Sequence, residues 1–305
     1  MNHKAAHYAI VLSLMSMVIL SLLLLLFSPF EREVSANNLR HYIDSLDDEV
    51  TGPASVRERA YELATHLFRS SAECSRFADE VVQVYSETQG IDFLLIYNTG
   101  GFGSSTMAND PEWSSILEGI RAELANLGYS SVIVAHQRSG KGLTDFLKET
   151  QDTQHNYRTK APVLAAKVAL LTKHNSQLRV IVTGRCFGGM ISNEVMELDA
   201  GNPRLYSIQA GLPFWYTDPG SKRSLVIRDN GVEPDIVGSR GYLDFLWKLA
   251  RANVWGLPSR SPPKGGAFLA WRWYLKAPGH VYTWDYPGVR TSVVAFLEQN
   301  FGRKN

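Results

Sequence analysis

The chain has 305 residues, 45% of them hydrophobic and 20% charged, with a formal net charge of +1. That balance excludes a disordered chain and leaves no electrostatic footprint for a nucleic-acid partner. Two cysteines, Cys74 and Cys186, are too few for a disulfide framework, although a single bridge between them stays open.

Residues 8–30, YAIVLSLMSMVILSLLLLLFSPF, carry no charge, and a run of about 20 apolar residues is what a helix needs to cross a bilayer. Residues 1–30 therefore read as a transmembrane anchor. Lys4 precedes the run and Glu31, Arg32 and Glu33 follow it, which favours the amino terminus inside and the rest in the periplasm or another extracytoplasmic space. Val34-Ser35-Ala36 offers an alternative cleavage site. Residues 31–55 are polar and acid-rich and read as a linker, with the folded domain over 56–305.

Over 56–85 apolar residues return every three or four positions, predicting one or two helices with Cys74 between them. The period then changes. Residues 91–97, IDFLLIY, read as a buried strand leading into the glycine-rich loop NTGGFGSS. A helix follows over 111–127, with Pro111 in its first turn and a stop at Gly128. A strand over 129–136, a loop beginning QRSGKGLTDF, a helix over 159–175, a strand over 178–184 and a helix over 190–198 come next. Strands over 204–211 and 224–231 complete the alternation, which predicts a mostly parallel sheet with helices on both faces. Residues 236–279 hold Trp247, Trp255, Trp271 and Trp273 and read as a helical lid. His280 then precedes a closing helix over 289–301.

The stretch VIVTGRCFGGMI, residues 180–191, places Gly184-x-Cys186-x-Gly188 between a strand and a helix. This is the pattern of a nucleophile elbow, a tight strained turn that stands its central side chain above the sheet. Glycines two before and two after are required because side chains there would strike the neighbouring strand and helix. A helix starting just after Cys186 brings backbone N–H groups and a positive dipole end that favour thiolate. Against this, cysteine is among the most buried residue types, and one in a glycine-rich turn can be purely structural.

The residues Gly184, Cys186, Gly188 and Gly189 resemble the α/β-hydrolase fold superfamily, and within it the dienelactone hydrolase-like members that carry Cys in G-x-C-x-G-G. Strand and helix order extend the resemblance over about residues 90–302. The resemblance implies the chain order nucleophile, acid, histidine. The sequence offers Asp235 as the acid, with Asp229 and then Glu233 behind it, and His280 as the histidine. In that reading Cys186 attacks a carbonyl carbon, His280 takes the thiol proton and Asp235 orients the imidazole. The oxyanion is held by the N–H of Phe187 and by one from the NTGGFG loop, at Gly101 or Phe102. Asn98-Thr99 stands where a lipase-type loop would begin with His.

Asp235 can equally serve as a helix N-cap. Arg185, next to the cysteine, either meets an anionic substrate or is solvated. The tryptophans pack a core or lid, line an apolar acyl pocket, or sit near the bilayer. The expected function is a membrane-anchored hydrolase that cleaves an ester, thioester or lactone of a small, apolar acyl substrate without metal or cofactor. The alternative is an inactive hydrolase-like module that binds a lipid, peptide or protein at the membrane; a redox role for the two cysteines lacks a C-x-x-C.

Overall fold

The computed structural model describes residues 39, 52–101, 103, 106–140, 142–218, 220–232, 235, 237–238, 241, 243–244 and 279–304. The anchor expected over 8–30 lies outside them, as do most of the linker and lid. Among the described residues no helix is long and apolar enough to cross a membrane.

Two helices come first, α1 (Pro53–Leu67) and α2 (Ser71–Glu87). Proline opens α1, so the helix starts inside the stretch expected to be linker. Ser70 caps α2, its hydroxyl accepting from the Glu73 N–H at 3.2 Å and donating to the Glu73 carboxylate at 2.7 Å. Cys74 therefore lies in the first turn of α2 rather than between the helices, and it is buried.

The alternation then runs β1 (Phe93–Asn98), α3 (Pro111–Asn126), β2 (Ser131–His136), α4 (Leu143–Gln154), α5 (Ala161–His174), β3 (Arg179–Arg185), α6 (Phe187–Leu198), β4 (Leu205–Ala210), β5 (Ser224–Ile227) and α7 (Pro287–Phe301). Three features differ from the sequence reading. Helix α4 occupies part of the expected loop. Helix α6 begins at Phe187 rather than 190, directly after Cys186. Strand β5 stops at Ile227, ahead of a turn in which Gly231 has φ +76°.

All five strands are parallel, in the order β2-β1-β3-β4-β5. Every residue of β1 is buried, because both faces of the sheet are covered. Successive side chains in β1 point to opposite faces. Phe93, Leu95 and Tyr97 pack with Trp113, Ile116 and Ile120 of α3 and Val289, Val293 and Leu297 of α7. Leu94 and Ile96 enter the other core, with α1, α2, α5 and α6. The winding starts at β1, goes outward to β2, and returns to β3 on the other side. In open parallel sheets such a reversal opens a crevice at the carboxyl ends of the two strands, and the loop after β1 and the turn after β3 meet there.

Candidate active site

Cys186 joins β3 directly to α6 with φ +52° and ψ −119°. A residue with a Cβ pays about 1–3 kcal/mol to sit in such a sparsely populated region. The surroundings hold it there from both sides. Its N–H donates to the carbonyl of Ala210 at the end of β4 at 3.0 Å, and its own carbonyl accepts from the Met190 N–H at 3.0 Å. A Cβ on Gly184 would lie 2.5 Å from the Gly188 carbonyl carbon, and one on Gly188 would lie 2.3 Å from the carbonyl oxygen of Asn98. Strand, turn and helix thus touch through bare backbone, as the glycine spacing requires.

His280 arrives from the segment ahead of α7 and seats its ring on Gly211, just past β4. Gly211 has φ +57°, and a Cβ there would come within 2.6 Å of the ring's Cε1. The imidazole Nδ1 lies 3.0 and 3.2 Å from the two carboxylate oxygens of Asp235. Two further donors complete that carboxylate: the Val237 N–H at 2.8 Å and the buried Tyr282 phenol at 2.8 Å. With Nδ1 given to Asp235, Nε2 is the ring nitrogen left for Cys186, whose side chain is near enough to help raise the His280 pKa.

The electrostatics follow from these contacts. Burial disfavours a charged His280, but hydrogen bonds to Asp235 and Cys186, together with their charges, outweigh it and raise its pKa to about 9. Burial also pushes the Asp235 carboxyl up, and here the bonds from His280, Tyr282 and Val237 and the imidazolium charge win, holding it below the usual carboxylate range.

Of the expected acids, Asp235 is the one that faces His280. Asp229 is exposed and its carboxylate accepts from the Gly231 N–H at 2.8 Å; Glu233 lies outside the described residues. Asp235 caps a turn through Val237, so its local and site roles coexist. Phe187 is the first residue of α6. Gly101 lies in the loop after β1 with φ +56°, and Phe102 is outside the described residues. Arg185 neither faces the nucleophile nor is solvated alone: its guanidinium bonds Asp110 at 3.0 Å and also Glu112. Asp110 in turn caps α3 and accepts from the Tyr97 phenol at 2.8 Å. Cys74 and Cys186 are both free thiols.

Compared with known protein families, curated proteins and solved structures, the chain matches none.

Three residues of the site escaped the sequence reading. Tyr282 sits two positions after His280, and in extended chain that spacing puts both side chains on one side. Gly211 closes β4 and gave no signal beyond its place at a strand end. Arg138, whose side chain donates to the carbonyls of Thr99 and Gly101, gave no signal among its polar neighbours in sequence. Beside the cysteine, the Phe187 ring tilts against Trp215 at 6.4 Å between centroids, and Trp215 meets Phe214 edge-on at 5.0 Å. Trp215 is 55% exposed, which leaves an apolar surface next to the turn. Among the described residues no three His, Cys, Asp or Glu side chains group as metal ligands would.

Proposed function

We propose that this chain is a thiol-dependent acyl hydrolase or acyltransferase of α/β-hydrolase type, acting on an ester, thioester or lactone. The observation that carries the reading is one line of contacts: Tyr282 and Val237 hydrogen-bonded to Asp235, Asp235 to His280, and Cys186 beside His280 at a strained strand-to-helix turn. Structural cysteines do not need a base oriented by a third group, whereas nucleophilic ones do.

In this reading His280 takes the thiol proton as the sulfur attacks the substrate carbonyl carbon. A C–S bond forms and the carbonyl π pair moves to oxygen. The N–H of Phe187, at the positive end of α6, and a donor from the loop after β1 stabilise that oxyanion. Collapse expels the alcohol or thiol, which takes the proton from His280. A water then gives its proton to His280 and attacks the acyl carbon, and the thiolate leaves with the acid as product. Phe187, Trp215 and Phe214 suit an apolar acyl group, and the apolar run over 8–30 would hold the enzyme at a membrane with its active site extracytoplasmic.

The test is release of p-nitrophenol from p-nitrophenyl butyrate by the full chain in mild detergent, with Cys186→Ala and His280→Ala alongside. Loss of at least about 100-fold in each variant is expected, since nucleophile and base act as a unit. Equal rates in all three would end the enzymatic reading and leave the inactive binding module.

A further inference from the structure

Arg138 follows β2 and its side chain is completely buried, as is that of Glu149 on α4. Burying a guanidinium is expensive unless every donor is used. Here the planar fork is spent in three directions. Nε donates to Glu149 at 3.0 Å, Nη1 to the Thr99 carbonyl, and Nη2 to the Gly101 carbonyl at 2.9 Å. Lys160 also bonds Glu149, and the guanidinium lies 5.3 Å from the Tyr157 ring centroid.

Thr99 and Gly101 belong to the loop after β1, and the grip is tighter than two bonds. Gly103, φ +74°, approaches so closely that a Cβ there would lie 3.0 Å from the Arg138 Cβ. On the other side the same loop meets the elbow. A Cβ on Gly100 would lie 3.1 Å from the Arg185 side chain, and the carbonyls of Asn98 and Thr99 lie against Gly188. The loop is thus clamped between Arg138 and the turn that carries Cys186. In a trans peptide the C=O and N–H edges point opposite ways. Fixing the Thr99 carbonyl on Arg138 therefore also fixes the direction of the Gly100 N–H, and the bond to the Gly101 carbonyl holds the following peptide. A lysine could reach one carbonyl but has no planar fork to hold two while pairing a carboxylate.

We propose that Arg138 is a positioning residue for the oxyanion site: it fixes the shape of the loop after β1 so that a backbone N–H faces the carbonyl attacked by Cys186. This rests on the acyl-transfer reading above.

A purely structural role is separated from this one by comparing reactions that do and do not create an oxyanion. Iodoacetamide alkylates Cys186 by displacing iodide from an sp³ carbon and needs only the nucleophile and His280. Hydrolysis of p-nitrophenyl butyrate, and reversible capture of 2,2,2-trifluoroacetophenone as a thiohemiketal, both put negative charge on oxygen. Two variants of the full chain are compared with wild type. Arg138→Lys keeps the charge, and the double variant Arg138→Met with Glu149→Met replaces the pair by apolar chains, a change that buried ion pairs often tolerate in stability.

We expect both variants to alkylate Cys186 within about 3-fold of wild type, while kcat for the ester and affinity for the ketone each fall on the order of 100-fold, the loss typical of one missing oxyanion donor. KM should change little. Unchanged ester and ketone values in the variants overturn the proposal, and so does alkylation that falls in parallel with them. A wild type that alkylates but neither hydrolyses the ester nor captures the ketone defeats the acyl-transfer reading itself, and the role of Arg138 with it.

Discussion

Replacing Gly211 by alanine tests whether the seat of His280 controls the reactivity of Cys186. The added methyl would lie 2.6 Å from Cε1 and 2.8 Å from Nδ1 of His280, and 2.9 Å from the Tyr282 ring. Carbon atoms rest at about 3.5–4.0 Å, so the imidazole must retreat by roughly 1 Å. A displacement of that size can cost about 100-fold in rate. Alanine at φ +57° adds strain of about 1–2 kcal/mol, a drop of a few degrees in melting temperature. Gly90→Ala is the matched control: it has φ +73° with nothing within 4 Å of the new methyl, so it carries the backbone strain without the collision. The assay is iodoacetamide alkylation at pH 7, read by mass spectrometry, with buried Cys74 as the slow internal reference. Gly211→Ala should slow Cys186 about 100-fold and Gly90→Ala should not. Equal alkylation of Cys186 in wild type and Gly211→Ala, or an equal loss in Gly90→Ala, refutes the argument.

Gly188→Ala drives a Cβ to 2.3 Å from the Asn98 carbonyl oxygen and 2.8 Å from that of Thr99, both backbone atoms rather than a flexible side chain; urea unfolding should show a loss of about 3 kcal/mol or more, and a loss below about 1 kcal/mol contradicts the packing described. Asp235→Asn leaves the imidazole without its carboxylate, so ester hydrolysis should fall by up to about 10⁴-fold; Tyr282→Phe removes one donor of the three kinds on that carboxylate and should cost far less, with kinetics of the two variants showing whether that order holds. His280 has a folded pKa of about 9 against an ordinary 6.5, so the stability it contributes, at most about 3 kcal/mol, is fully present below pH 6.5 and lost as pH rises through 9. Chemical denaturation of wild type and His280→Ala at pH 6 and pH 10 should therefore show a gap that shrinks at the higher pH. Cys186→Ala removes two contributions that raise His280, and NMR titration should find its pKa lowered.

The strands were legible because parallel strands buried on both faces are continuous apolar runs, and LLIY and VIV are such runs. The elbow was legible because its glycines have a spacing that only backbone contact explains. His280 and Asp235 could be picked out by order along the chain, although choosing Asp235 over Asp229 took the resemblance, since both follow β5 in turn-forming sequence. Helix α4 was missed because LTDFLKETQDTQ has few apolar residues to set a period. Arg138 and Glu149 were missed for the same reason in stronger form. Charged side chains are nearly always solvated, and nothing local distinguishes a buried ion pair formed between the segment after β2 and helix α4. Arg185 was left between two roles and has a third, because Asp110 and Glu112 lie some 75 residues earlier in the chain.

One further property lies in how the chain leaves and re-enters this site. Asp235 is fixed by its turn at Val237, while Asn230 donates its amide to the carbonyls of Gly279 and Val281 at 3.1 and 2.9 Å, on either side of His280. Asp235 is thus held by Val237, Tyr282 and His280, and the residues on either side of His280 are held by Asn230. The Asp235–His280 pair joins two parts of the chain 45 residues apart, and each member takes its position where the turn after β5 meets the segment before α7.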